Sequence, residues 1–342
     1  MSGSKFYVIK KSDFPKFIGS LSKNFKVFAP VRGEKDFNFK EVKPSKEIDL
    51  EGYINTEFPP KKFFIPDGEV LMEYEKGGKV KRKPAKGRKI LFGVRPCDVH
   101  GLIVLDKVMM SEPVDVFYKN KRDSILVFAL NCREAGENCF CESMGAKEAK
   151  EGFDLLFTDH GDEYHVEVGS EKGKEVIGKS RLFKETDKEA EKAKLVFKKK
   201  INTENLPEIM KDRFESKIWE ETANKKCLSC ASCTSVCPTC YCFDVFHLNS
   251  IEKPGSGKII REWSYCMLKP FTKVAGEMIF REPRVERVKQ FFYHKLVYGK
   301  ENQGKYHCVG CGRCITECMT KIDITEEVRK IRDEYEKRKL RA

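Results

Sequence analysis

Two stretches near the C-terminus limit what this 342-residue chain can fold into more than anything else in it: Cys227-Leu-Ser-Cys230-Ala-Ser-Cys233-Thr-Ser-Val-Cys237-Pro238 and Cys308-Val-Gly-Cys311-Gly-Arg-Cys314-Ile-Thr-Glu-Cys318. Each is a C-x2-C-x2-C-x3-C run. In that spacing three thiolates wrap three corners of a cubane 4Fe-4S core, and the fourth, one turn further on, points away to the core of the sister motif. The expected ligand sets are therefore Cys227, Cys230, Cys233 with Cys318, and Cys308, Cys311, Cys314 with Cys237. Neither motif is a complete site alone, so the two must pack together across the stretch between them. Zinc also uses C-x2-C pairs, but two pairs satisfy it and the other four cysteines would be idle. Met319 stands where such motifs usually place proline after the fourth cysteine, a change that removes no ligand.

A chain of this length leads us to expect two domains. Its 15 cysteines would suggest disulfides in a short secreted protein; here they cluster at metal spacings. Met1-Ser-Gly-Ser-Lys5 has no apolar leader segment, and no apolar run approaches the length of a bilayer span. A reducing cytoplasm is expected. The net charge of +13 invites a nucleic-acid reading. However, charged residues make up 35% of the chain, and acidic residues interleave with lysines along stretches such as 187–200. That pattern is more typical of proteins from hot habitats, and the basic surplus suits docking of an acidic redox partner.

The fold class expected is α+β: an N-terminal α/β domain over 1–215 and a C-terminal helical, ferredoxin-type domain over 216–342. The N-terminal part opens with short strands. A hairpin follows over 70–80, turning at Gly77-Gly78, since paired glycines supply the positive φ angles of a tight turn. The tract 79–89, rich in lysine and arginine, reads as a solvated edge strand. Residues 89–94 are a buried-type strand, 99–110 an apolar-periodic helix and 124–130 a second buried strand, which together make a βαβ unit with parallel strands. A second hairpin is expected over 152–168, and helices over 187–200 and 206–223.

Cys97 lies just past the carboxyl end of the first βαβ strand and Cys132 just past the second, where α/β sheets hold ligands. Cys139 and Cys141 lie in the loop that leaves the second strand. These four predict a third metal site, an iron-sulfur cluster with zinc as the alternative. The competing reading is ordinary buried thiols.

In the C-terminal domain about seventy residues separate the motifs, too many for a short βαβ repeat. With helices expected over 268–279 and 285–298, an all-helical ferredoxin arrangement is predicted, closed by a charged helix over 325–339 with Thr325 as its cap. Spacing assigns no role to Cys240, Cys242 and Cys266, which could tune a neighbouring cluster, pack, or complete a site with His247 or Asp244. The histidines show no i, i+4 pair. There is no G-x-G-x-x-G fingerprint, and Pro254-Gly-Ser-Gly-Lys258 lacks the first glycine and the hydroxyl residue of a phosphate loop.

The segments Phe92-Gly-Val-Arg-Pro-Cys97-Asp-Val-His-Gly-Leu102, Asn138-Cys-Phe-Cys141, Cys227 to Cys242 with its Cys-Pro-Thr-Cys-Tyr-Cys ending, and Tyr306-His-Cys-Val-Gly-Cys-Gly-Arg-Cys314 together resemble one iron-sulfur subunit family. That family includes the beta subunit of soluble archaeal sulfhydrogenases and an iron-sulfur subunit of anaerobic sulfite reductases. The resemblance implies a non-catalytic subunit that relays single electrons. Its partners would be a flavin subunit linked to NAD(P)H and a catalytic subunit of NiFe hydrogenase type or another reductase, in a hetero-oligomer. Two other classes are compatible with the residues: a reductase with its own substrate site at the N-terminal cluster, and a zinc-dependent nucleic-acid binder.

Overall fold

The computed structural model describes residues 6–42, 48, 50–82 and 87–341. Met1–Lys5 and residues 83–86 of the basic tract lie outside the described residues. The strands are β1 (Phe6–Lys10), β2 (Lys26–Arg32), β3 (Phe37–Glu41), β4 (Glu69–Glu75), β5 (Lys79–Arg82) and β6 (Lys89–Val94). They continue with β7 (Ile125–Leu130), β8 (Leu155–His160), β9 (Glu163–Val168), β10 (Lys184–Thr186), β11 (Phe243–Asn249) and β12 (Gly257–Trp263). The chain forms two compact units. One comprises Met1–Phe64, Pro84–Gly136 and Ala146–Val196, the other Ile65–Lys83, Glu137–Gly145 and Phe197–Ala342. A single cut near residue 215 does not describe this division, because two segments from the first half of the chain belong to the second unit.

The first unit is an 8-stranded sheet in the order β10-β1-β9-β8-β7-β6-β2-β3. Its centre is parallel, with β2 beside β6, β6 beside β7 and β7 beside β8. Nearly every residue of β6 and all of β7 are buried, as expected of central strands covered on both faces. The crossover from β6 to β7 uses two helices. Pro96–Met109 starts with a proline in its first turn, and Val116–Ser124 is capped by Asp115, whose side chain accepts from the Phe117 and Tyr118 N–H groups. The core of this unit is aromatic: Phe14 lies 4.8 Å from Phe92, which meets Phe157 edge-on at 5.4 Å.

The second unit joins helices to a 4-stranded antiparallel sheet in the order β11-β12-β4-β5, so it is not all-helical. The stretch between the cysteine motifs supplies β11 and β12. Their residues, Phe-Asp-Val-Phe-His-Leu and Ile-Ile-Arg-Glu-Trp, favour extended backbone, and Pro254-Gly255 provides the turn. The helix expected over 268–279 reduces to the short 3-10 turn Lys269–Thr272, because Pro270, Gly276 and the positive φ of Glu277 interrupt it. Residues 187–200 form no helix either: their apolar side chains Leu195, Val196 and Phe197 are consecutive instead of spaced along one face, so helical backbone would bury nothing. The stretch 206–223 divides into Leu206–Asp212 and Lys217–Glu221. Arg284–Tyr293 and the terminal helix Ile324–Lys339 pack with them around Trp219, Phe292, Tyr293, Leu296 and Ile331. Asp323, not Thr325, caps the last helix, accepting from the Thr325 N–H.

Candidate metal centre

Each cysteine motif folds as a tight wrap that ends in one turn of helix, Ser232–Ser235 in the first and Arg313–Thr316 in the second. Wrapping demands left-handed backbone at two places per motif. Ser229 and Ala231 supply it in the first (φ 55° and 65°), Gly310 and Gly312 in the second (φ 65° and 77°). The two motifs then bring their cysteines together around two neighbouring cavities. Cys227, Cys230, Cys233 and Cys318 line one, with Met267, Val288, Phe292 and Ile322. Cys237, Cys308, Cys311 and Cys314 line the other, with Phe140, Lys295 and Val309. Phe291, Ile324 and Cys314 line both. Each cavity thus gathers one of the crossed quartets read from the spacing.

The electrostatics tie the cysteines of both cavities together. Burial raises the Cys233 thiol, and the thiols of Cys227, Cys230, Cys237 and Cys318 raise it further. Burial also pushes Cys308 up to about 12, against a hydrogen bond from the Gly310 backbone and with Cys311 and Cys237 adding to the rise. Cys314 is raised by burial and by Cys308, Cys311, Cys237 and Cys233. Buried thiols set beside other thiols, as Cys233, Cys308 and Cys314 are, resist ionising unless a cationic core binds them, which is the chemistry of thiolate-iron ligation. Among the described residues no group of three or more His, Cys, Asp or Glu side chains closes on a single ion. The cysteines instead line cavities. Short bonds tune the sulfurs: the Ser229 N–H donates to Cys227 Sγ at 3.3 Å and the Ile322 N–H to Cys318 Sγ at 3.2 Å.

The four cysteines of the expected third site divide between the units. In the first unit Cys97 sits in the first turn of Pro96–Met109 and Cys132 follows β7. Arg95 connects these two chain ends: its guanidinium donates to the Leu130 and Asn131 carbonyls at 3.3 and 2.8 Å and lies over the Tyr53 ring. In the second unit Cys139 and Cys141 lie against the second motif. The Phe140 N–H donates to the Gly310 carbonyl at 2.8 Å, and Cys139 Sγ lies 3.7 Å from the Cys311 carbonyl.

Sequence reasoning missed a buried polar group beside the second cavity. Lys295, 2% exposed, donates from Nζ to Thr239 Oγ1 at 2.9 Å, and that oxygen lies 3.2 Å from Cys237 Sγ. Cys240 bonds the same ammonium, and Cys266 and Cys242 bond each other. His307, buried, and His294, half-buried, which spacing left without a role, meet here with ring nitrogens 3.3 Å apart, and Tyr241 Oη lies 3.0 Å from His294 Nε2. The available signal was a lysine close behind the run Phe291-Phe292-Tyr293.

Fold and site together define an iron-sulfur protein, and residues 226–322 match a family described as the 4Fe-4S dicluster domain. Over 331 residues the chain is 35% identical to sulfhydrogenase 2 subunit beta of Pyrococcus furiosus, an alignment that covers 92% of this chain and 96% of that protein. The chain belongs to the sulfhydrogenase beta-subunit family. No solved structure matches it. Among the described residues no helix is long and apolar enough to cross a membrane.

Proposed function

We propose that this protein relays single electrons through 4Fe-4S clusters as one subunit of a multi-subunit oxidoreductase. Cys227, Cys230, Cys233 and Cys318 would hold the first cluster, and Cys308, Cys311, Cys314 and Cys237 the second. The observation that carries the reading is the pair of adjoining cavities, each lined by a thiol quartet drawn from both motifs and sharing Phe291, Ile324 and Cys314. Adjacent clusters exchange electrons without any movement of the chain, and their potentials are set by hydrogen bonds, charge and exposure. A third cluster on Cys97, Cys132, Cys139 and Cys141 belongs to the same proposal. It is supported by strand ends that present the first two thiols and by the seating of the other two against the second motif.

The partners proposed are a flavin subunit that exchanges electrons with NAD(P)H and a catalytic subunit of NiFe hydrogenase type. The relative's description as a sulfhydrogenase subunit favours such an assembly. So does the surface: Val245, Phe246 and Leu248 are exposed on β11, the outermost strand of the smaller sheet, an arrangement that isolated proteins avoid. Leu228 and Met319 are exposed over the first cavity and offer an electron exit there. The test is metal analysis with EPR of the dithionite-reduced protein. Iron with the signals of interacting 4Fe-4S clusters is expected; zinc alone with no such signal would end the proposal.

A further inference from the structure

The two motifs are built alike, yet their surroundings differ beside the fourth cysteine. A threonine follows the fourth cysteine by two positions in each, Thr239 at 3.2 Å from Cys237 Sγ and Thr320 at 3.5 Å from Cys318 Sγ. Met319, next to Thr320, is 66% exposed. Thr239 is fully buried and is the acceptor for Lys295 Nζ, while its own hydroxyl donates to the His307 carbonyl. The backbone of Lys295 adds a second tie: its carbonyl accepts from the His307 and Cys308 N–H groups at 3.0 and 3.2 Å. One residue therefore holds the start of the second motif with its main chain and the end of the first with its side chain. It also lines the second cavity.

We infer that Lys295 is the residue that sets the reduction potential of the second cluster, by holding a fixed positive charge against its Cys237 corner. Reduction adds one negative charge to a core already surrounded by four thiolates. A cation in a low-dielectric interior stabilises the reduced form more than the oxidised one, and so raises the potential. A buried ammonium is costly unless paired, and here Thr239, Cys240 and the ligated Cys237 provide that pairing. The first cluster has a cation near it too, Arg287 of the helix Arg284–Tyr293. Its guanidinium bonds the Met267, Arg281 and Glu282 carbonyls and Ser229 Oγ and acts on Cys227, so each motif has a cation of its own beside it.

The inference rests on the two-cluster reading, and one experiment separates their failures. Full-length protein would be titrated potentiometrically and followed by EPR, with the second cluster's midpoint identified by its loss in Cys311→Ser. Lys295→Gln keeps a donor for Thr239 without the charge. We expect it to retain iron and to move the second midpoint to more negative potential, with a smaller change at the first, while Lys295→Arg stays near the wild-type value. Equal midpoints in Lys295→Gln and wild type, at full iron content, would overturn the role of Lys295 and leave the clusters untouched. If Lys295→Gln fails to take up iron, Lys295→Arg decides: retention of iron supports a requirement for charge, and loss in both assigns Lys295 to packing alone. Wild-type protein without iron-sulfur signals would instead refute the cluster reading itself.

Discussion

Gly310 occupies in the second motif the position that Ser229 holds in the first, and both turn through left-handed backbone, at φ 65° and 55°. The first motif bears side chains there and the second does not. The difference lies in the neighbours: a Cβ on Gly310 would stand 2.6 Å from the Cys141 backbone, and one on Gly312 would stand 2.4 Å from the Asn138 carbonyl. Glycine is needed in the second motif because another piece of chain lies directly on it.

Gly312→Ala should therefore destabilise the protein by about 2 kcal/mol or more, combining unfavourable φ with a backbone clash. Ala231→Gly, at the matching position with the same dihedral sign, should change stability by less than about 1 kcal/mol. Thermal unfolding and iron content of the two variants, side by side, check the contrast; equal effects would contradict it.

The crossed quartets make a prediction that unlinked motifs would not. Cys318→Ser should perturb the cluster held by Cys227, Cys230 and Cys233, and Cys237→Ser the one held by Cys308, Cys311 and Cys314. EPR of each variant reads which signal is lost. Damage confined to the cluster of the mutated motif would show that each motif closes on itself.

The third site has its own measure. Cys97→Ser and Cys139→Ser should each lower iron by about four atoms per chain while the signals of the other two clusters persist. Unchanged iron in both would remove the third cluster and leave the rest of the reading standing.

Glu327 gives the fold an acid-sensitive point. It is 1% exposed. Burial works to raise its carboxyl, but hydrogen bonds from Lys226, Lys330 and Thr222 outweigh that and hold it below the usual carboxylate range. Its contribution is present above about pH 4.3, where a free glutamate is ionised, and is lost as pH falls from there through the lower folded value. Glu327→Gln should lower stability by about 2 kcal/mol near neutrality. The gap to wild type in thermal unfolding should narrow as pH drops below that range; a constant gap would show that charge is not what the side chain contributes.

The two cysteine motifs were legible because ligand spacing is a local property that three and four residues of backbone already impose. The central strands were legible for a related reason: Lys89–Val94 and Ile125–Leu130 are apolar enough to leave no other place than a covered sheet. The hairpin of β11 and β12 was hidden by the assumption that a long stretch between cluster motifs is helical, although Pro270 and Gly276 argue against helix in the sequence itself. Lys295 was hidden for a different reason. The apolar run Phe291-Phe292-Tyr293 in front of it was a signal of burial, but nothing in the sequence points to Thr239 as its partner, 56 positions away.

The strip from Asn138 to Cys141 is synthesised long before the glycines it rests on. During translation Cys139 emerges 172 residues ahead of Cys311, so the surface it covers does not yet exist when it leaves the ribosome. Iron delivered early would meet stray thiols without a finished cage. The second cavity is accordingly complete only after the second motif has been made, and a C-terminal fragment carrying both motifs would still lack the wall that Phe140 provides.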